Sequence, residues 1–294
     1  MNTLGSRKSL RVLVGADGSA QARSAIAGAI AFPWPEETQV RAVVAQQLEP
    51  VFRPTFAAAL QSSAKLIAED AKRALSNRWP EASAVVVDES PAEGVLAESK
   101  RFRADVILMG WRGEGPARRL LMGSVSRNVV RRATCSVLVV RGKLLRVPEI
   151  VIGFDGSAQA QRAVQLVQRF LLNGARITIF RAADRIGVPS QALAPARTMA
   201  MVREEVRRIN AESLARARKE VDSVAASLKD IGWRVRTVVT TGAPLHDLLS
   251  TVDAVQADLL VVGARGTSGI RHLLLGSVAD GALNQCPVSV LIAR

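Results

Sequence analysis

The run Leu108-Met109-Gly110-Trp111-Arg112-Gly113 carries an apolar stretch into two glycines, and Gly123-Ser124-Val125 follows after nine intervening residues. The same arrangement returns 153 positions later as Val261-Val262-Gly263-Ala264-Arg265-Gly266 and Gly276-Ser277-Val278. An apolar run that stops at glycine is a buried strand handing the chain to a tight, exposed loop. Gly-Ser ahead of Val-Ser-Arg-Asn-Val-Val marks a helix start, where a serine can cap free amides. Strand, glycine loop and open helix N-terminus together make a seat for an anion. Glycines that only served turns would not need the same spacing twice. The duplication therefore favours a ligand loop in each copy and ties the fold to a repeated strand–loop–helix plan.

The remaining elements fall into the same order twice. The first half shows a strand over 10–15, the turn Ala16-Asp17-Gly18-Ser19, and a helix through Ile26 and Ile30 closed by Pro33-Trp34-Pro35. Then come a strand over 40–45, a long helix over 60–79 with Leu60, Ala64, Ile67, Ala71 and Leu75 on one face, and a short strand over 85–87. A helix led by Pro91, a strand over 105–110, a helix over 124–132 and a strand over 137–140 complete it. The turn recurs 138 positions on as Phe154-Asp155-Gly156-Ser157, whereas Pro91 and Pro244, or Asp105 and Asp258, lie 153 apart. The excess fits an enlarged loop and a longer helix over 201–231. Alternating strands and helices imply a mainly parallel sheet. With 141–148 as linker, the expected domains are 1–145 and 146–294.

A chain of 294 residues, 48% hydrophobic and 22% charged, has the size and composition of about two core-forming domains. Its net charge of +14 divides into +9 over 1–146 and +5 over 147–294, so the excess is spread and no basic tail exists. Aromatics are only 4% and tyrosine is absent, which leaves few stacking platforms for single strands, and no nucleic-acid-binding motif appears. Apolar runs are strand-sized, which argues against a membrane span, and residues 1–11 lack a secretory pattern, so a cytoplasmic protein is expected. Cys135 and Cys286, each just before the last apolar run of its half, suggest buried reduced thiols. His246 and His272 have no metal-ligand spacing.

With these motifs the chain resembles a tandem universal stress protein. The family pattern of Gly, two residues, Gly, nine residues, Gly-Ser is complete in both halves. The Asp-Gly-Ser turns, the Pro-led helices and the Cys-Ser-Val or Cys-Pro-Val lead into strand five also match. The resemblance implies an α/β fold of two tandem doubly wound, Rossmann-like domains. Each would hold a five-stranded parallel sheet in the order 3-2-1-4-5, with winding reversing between strands one and four, where such sheets bind ligands.

The full glycine pattern resembles the ATP-binding members, which implies roles residue by residue. Asp17 and Asp155 would accept from ribose hydroxyls, with helix capping as the alternative, and Ala16 and Phe154 precede them in the same turns. Ala45 and Ala182, ending the second strands, would contact adenine. Beside Met109 and Val262, the glycines Gly110, Gly113, Gly263 and Gly266 would let backbone approach phosphates. Gly123, Ser124, Val125 and Ser126, and Gly276, Ser277 and Val278, would donate from helix starts. Arg112 and Arg265 would add charge-assisted contacts. The implied ligand is ATP, with ADP and AMP not distinguished. Magnesium would be held by phosphate oxygens and water, since Glu114 in one loop is matched by Thr267 in the other. The resemblance also implies an unidentified regulatory protein partner, final strands 137–140 and 288–292 side by side about a pseudo-twofold axis, and leaves a homodimer of the whole chain open.

The halves differ in three places. Glu89-Ser90 precedes Pro91 where Gly242-Ala243 precedes Pro244; Ala279 replaces Ser126; and the interval from Gly276 to Cys286 is two residues shorter than that from Gly123 to Cys135, which predicts a disturbed last helix. No P-loop, dinucleotide fingerprint or repeated Ser/His/acid set occurs. The expected function is thus ATP-binding regulation in a stress response, against a nucleotide-free scaffold or chaperone-like module, or a slow ATPase without a dedicated base.

Overall fold

The computed structural model describes residues 9–49, 51–111, 122–142, 144, 147–170, 172, 174–188, 196–266 and 275–294. The first half runs β1 (Arg11–Gly15), α1 (Ala20–Ala31), β2 (Gln39–Ala45), α2 (Pro54–Ser76), β3 (Ser83–Val87), α3 (Pro91–Phe102), β4 (Val106–Gly110), α4 (Ser124–Arg132) and β5 (Ser136–Val140). The second runs β6 (Glu149–Gly153), α5 (Ala158–Val167), β7 (Arg176–Ala182), α6 (Ala196–Lys229), β8 (Arg234–Thr240), α7 (Pro244–Ala254), β9 (Leu259–Gly263), α8 (Ser277–Gln285) and β10 (Ser289–Ala293). These strands form one sheet in the order β3-β2-β1-β4-β5-β10-β9-β6-β7-β8. Each half is parallel and ordered 3-2-1-4-5, as expected.

The halves join where β5 and β10 pair antiparallel, with Val139 opposite Val290, Leu138 opposite Leu291 and Val137 opposite Ile292. The expected juxtaposition of the last strands is therefore present, and it removes two open sheet edges. Strands such as β4 and β5 are buried along their whole length, as parallel strands covered on both faces must be. One apolar layer unites the sheet with α1, α2, α5 and α6, the other with α3, α4, α7 and α8. The first layer is continuous across the seam. Phe32 and Trp34 of the first half pack against Phe170 of the second at ring separations of 4.8 and 5.5 Å, all three fully buried.

Asp105 and Asp258 hold equivalent structural posts. Each carboxylate accepts the first amide of the neighbouring strand, Arg11 N at 2.8 Å and Glu149 N at 2.9 Å, so each pins the start of β1 or β6. Buried Glu149 itself meets Arg176 and Arg236, which keeps its charge paired.

Three expectations change. The long helices begin earlier than their apolar stripes, at Pro54 and Ala196. A proline at the first turn lets a helix start without an amide to satisfy. Helices α4 and α8 are both nine residues long, and β5 and β10 begin at Ser136 and Ser289, again 153 apart. The last helix is undisturbed; the cysteines simply occupy different places, Cys286 buried at the end of α8 and Cys135 partly exposed at the threshold of β5. Among the described residues no helix is long and apolar enough to cross a membrane.

Candidate functional site

Where the winding of each half reverses, the carboxyl ends of β1 and β4, or β6 and β9, open a crevice. In the second half this crevice is a cavity of about 260 Å³. Phe154, Asp155 and Ala182 line it from the first two strands of that half. Val262, Gly263, Arg265 and Gly266 line it from β9 and its loop, and Gly276, Ser277 and Val278 from the start of α8. Every second-half residue named from the sequence thus faces one space. Sequence reasoning missed further lining residues, among them Phe180, Asp184, Pro244 and Leu248. Asp184 lies two residues past the end of β7, and position at a strand's carboxyl end is the one signal that could have found it.

The turn and the loop are fastened together. Phe154 N donates to Phe180 O at 2.8 Å, and Ala264 N to Ala293 O at 2.8 Å, so both turns hang from adjacent strands. Asp155 accepts from Ser157 N at 2.9 Å through Oδ1, while Ser157 Oγ accepts from Ala160 N at 3.1 Å and caps α5. The capping expected of the aspartate as an alternative therefore belongs to the serine, and the aspartate tightens the turn before it. Its other oxygen faces the loop, since a Cβ built on Gly266 would lie 2.4 Å from Asp155 Oδ2. At Gly263 the crowding comes from α5, where a Cβ would lie 2.8 Å from Gln159 Cβ and 3.0 Å from Ala160 N. Gly263 is thus required by helix packing inside the protein itself, a reason separate from close approach to phosphate.

Gly276 is the N-cap of α8 and Gly123 that of α4, and no side chain among the described residues caps either helix. Ser124 and Ser277 are the first helical residues, which corrects the expectation that serine caps these starts. The contrast with α1 and α5, whose ends are closed by Ser19 and Ser157, is physical: glycine caps leave amides directed at whatever occupies the crevice. Arg265 adds positive charge, and Arg294 stands close enough to feel it. Burial, reinforced by Arg265, holds the Arg294 guanidinium below its ordinary value.

The first half builds the same frame. Ala16 N donates to Val43 O at 2.9 Å, Asp17 accepts from Ser19 N at 3.0 Å, and Gly123 N donates to Trp111 O at 3.0 Å. Gly15 lies in contact range of Met109, which brings the ends of β1 and β4 together. Ser126 Oγ donates to Gly110 O at 2.8 Å, so this hydroxyl serves the strand end and is not directed outward, a bond Ala279 cannot make. Val125 is partly buried behind that helix start. Ala45 ends β2 under α3, where Gly94 comes so near that a Cβ would sit 2.6 Å from Ala45 Cβ. Arg112, Gly113 and Glu114 lie outside the described residues, as does Thr267.

The exchange of Glu89 for Gly242 has a partner. Position 94 is glycine and its equivalent 247 is aspartate, and a Cβ on Gly242 would lie 2.2 Å from Asp247 Oδ2. One carboxylate has moved five residues along the chain, with glycine taking the vacated place. Glu89 is engaged by Arg101 at 3.1 Å.

The model of the universal stress protein family matches the chain twice, over residues 9–141 and 148–294. Among curated relatives, universal stress protein Rv2005c of Mycobacterium tuberculosis is 28% identical over 197 residues, covering 65% of this chain and 62% of the relative. Universal stress protein Rv1996 of the same organism is 29% identical over 211 residues, covering 68% and 61%. The chain therefore spans somewhat under two thirds of the length of these relatives. A universal stress protein structure from Archaeoglobus fulgidus superposes with a TM-score of 0.69 over 98% of this chain and 99% of that one, at 16% identity. A functionally unknown protein from Pseudomonas aeruginosa gives 0.57 over 98% and 93%, at 15% identity. These two are likenesses of fold. With two family matches covering nearly all of its length, this chain belongs to the universal stress protein family.

Proposed function

We propose that the chain binds adenine nucleotide, ATP foremost, at the crevice of each half and acts as a regulatory module of a stress response in the cytoplasm. One observation carries this reading: all the second-half residues that the motif singles out line a single cavity. The chemistry suits a nucleotide. Asp155 would accept from ribose hydroxyls, the glycine-capped start of α8 would donate amides to phosphates, and Arg265 would offset their charge. Asp184 would accept the exocyclic amine of adenine. Magnesium would ride on phosphate oxygens and water, supplying charge neutralisation when present. Binding would change which regulatory protein the chain contacts.

Mass spectrometry of the small molecules released on denaturing freshly purified protein tests the reading directly. An adenine nucleotide at one to two per chain is expected. Calorimetry should further show ATP binding in EDTA, with affinity that falls as salt rises. Protein that carries no nucleotide and takes up none in titration would replace this reading with a nucleotide-free scaffold.

A further inference from the structure

In the first half α1 and α2 do not close upon each other beneath the turn that carries Ala16 and Gly18, both of which also line the space between them. Between them lies a cavity of about 410 Å³, within the size range of small-molecule sites. Its walls are apolar, formed by Ile26, Ala27 and Ile30 of α1 and Ile67, Ala71 and Ala74 of α2. Alanines at three of these places are too short to fill the space between two helices, and Ala27 at its edge is exposed, so it opens to solvent. Arg23 and Asp70 stand at its rim. Asp70 is already paired with Arg73 at 3.2 Å, so the net charge offered at the mouth is the exposed guanidinium of Arg23, which also donates to Gly18 O.

The second half supplies an internal control. Ile67 and Glu220 are equivalent, since each packs over the left-handed glycine of its own turn, Gly18 or Gly156. There Glu220 forms an ion pair with Arg181 across the space, and Gln165, Val224 and Ser227 stand where the first half has Ala27, Ala71 and Ala74. Gln161 stands in place of Arg23. The same fold thus fills this position with polar and bulkier groups in one half and lines it with small apolar ones in the other.

We infer that the α1–α2 cavity is a binding site for a small apolar molecule bearing one carboxylate, its chain or ring among Ile26, Ile67 and Ala71 and its carboxylate at Arg23. The inference does not rest on nucleotide binding. Decanoate, kept below its micellar concentration, is the probe, with decanol and decylammonium as comparisons, titrated calorimetrically into the full chain. Two variants borrow residues that the second half already carries. Arg23→Gln should weaken decanoate about tenfold and leave decanol unchanged. Ala27→Gln with Ala71→Val should abolish binding of both, while thermal melting shows the variant folded. One decanoate per chain in the parent protein, lost in the filled variant, is the expected result. No saturable binding to the parent, equal binding by a folded filled variant, or tighter binding of decylammonium than of decanoate would overturn the inference. The exposed Arg23→Gln variant keeps the test decisive even if the filled one fails to fold.

Discussion

Gly266 faces the Asp155 carboxylate so closely that a side chain there would meet it, which sets what a substitution would do. Adding a methyl at Gly266 drives into Asp155 Oδ2, the mobile end of a side chain, so the domain should stay folded while the carboxylate swings aside. Gly266→Ala is expected to weaken ATP roughly tenfold in the second site by misplacing one charge-assisted hydrogen bond. Calorimetry reads it, and unchanged affinity for both sites would remove Asp155 from the ribose role. At Cys135 the environment speaks to pH. Burial pushes this thiol up to about 11 from 9.0, so the folded protein holds the proton more tightly than the unfolded chain does. The resulting stabilisation is complete below pH 9 and is lost as pH rises towards 11. Urea melts across that window should therefore slope downwards for the parent protein and less steeply for Cys135→Ala.

Among the elements, the helices that begin at the crevices differ in kind from those beside them. Serine closes α1 and α5, whereas glycine stands at the N-caps of α4 and α8 and leaves their first amides without a side-chain cap. The buried Ser126 hydroxyl ties α4 to the end of β4, and the Ala279 copy forgoes that tie. Ser126→Ala should cost about 1 kcal/mol and lower the melting temperature by about 2–4 °C. ATP affinity of the first site should not change beyond what the stability loss accounts for, because the hydroxyl is turned to Gly110 O; a larger fall in calorimetry would overturn that. Much of this was legible beforehand. Strand ends, the glycine spacing and the 153-residue shift placed β4, β9 and the starts of α4 and α8 correctly, because a buried strand stopping at glycine has few alternatives. The helix caps were not legible, because Gly and Ser adjacent to one another can each serve as cap until the backbone chooses.

For the whole molecule, the β5–β10 seam turns two domains into one sheet. Its ends are tied by a symmetric exchange in which Arg141 N donates to Ser289 Oγ at 3.1 Å and Arg294 N to Ser136 Oγ at 3.3 Å. Trp111 breaks the symmetry: its indole Nε1 donates to Leu283 O at 3.2 Å and its ring lies 3.8 Å beneath Arg141. The carboxyl end of β4 is thereby fastened to α8 of the second half, with Ala264 at the matching place. A fragment of residues 1–145 would expose β5 along its length together with Phe32 and Trp34. It should self-associate into dimers on size-exclusion chromatography while the full chain does not depend on such pairing. A monomeric, stably folded fragment would show that the seam contributes little.

The amino-acid sequence alone determined the duplicated α/β plan, the order of elements and where β4 and β9 end in glycine. Those follow from local periodicity and from glycines at fixed intervals, which act over a few residues. Tertiary structure decided what depends on distant groups meeting. It closed the Phe32, Trp34 and Phe170 cluster across 136 or more residues. It also paired the changes at 89 and 94 with those at 242 and 247, and left a cavity between α1 and α2 where alanines fall short. No one segment encodes these features, because packing is a property of surfaces that come together only when the chain has folded.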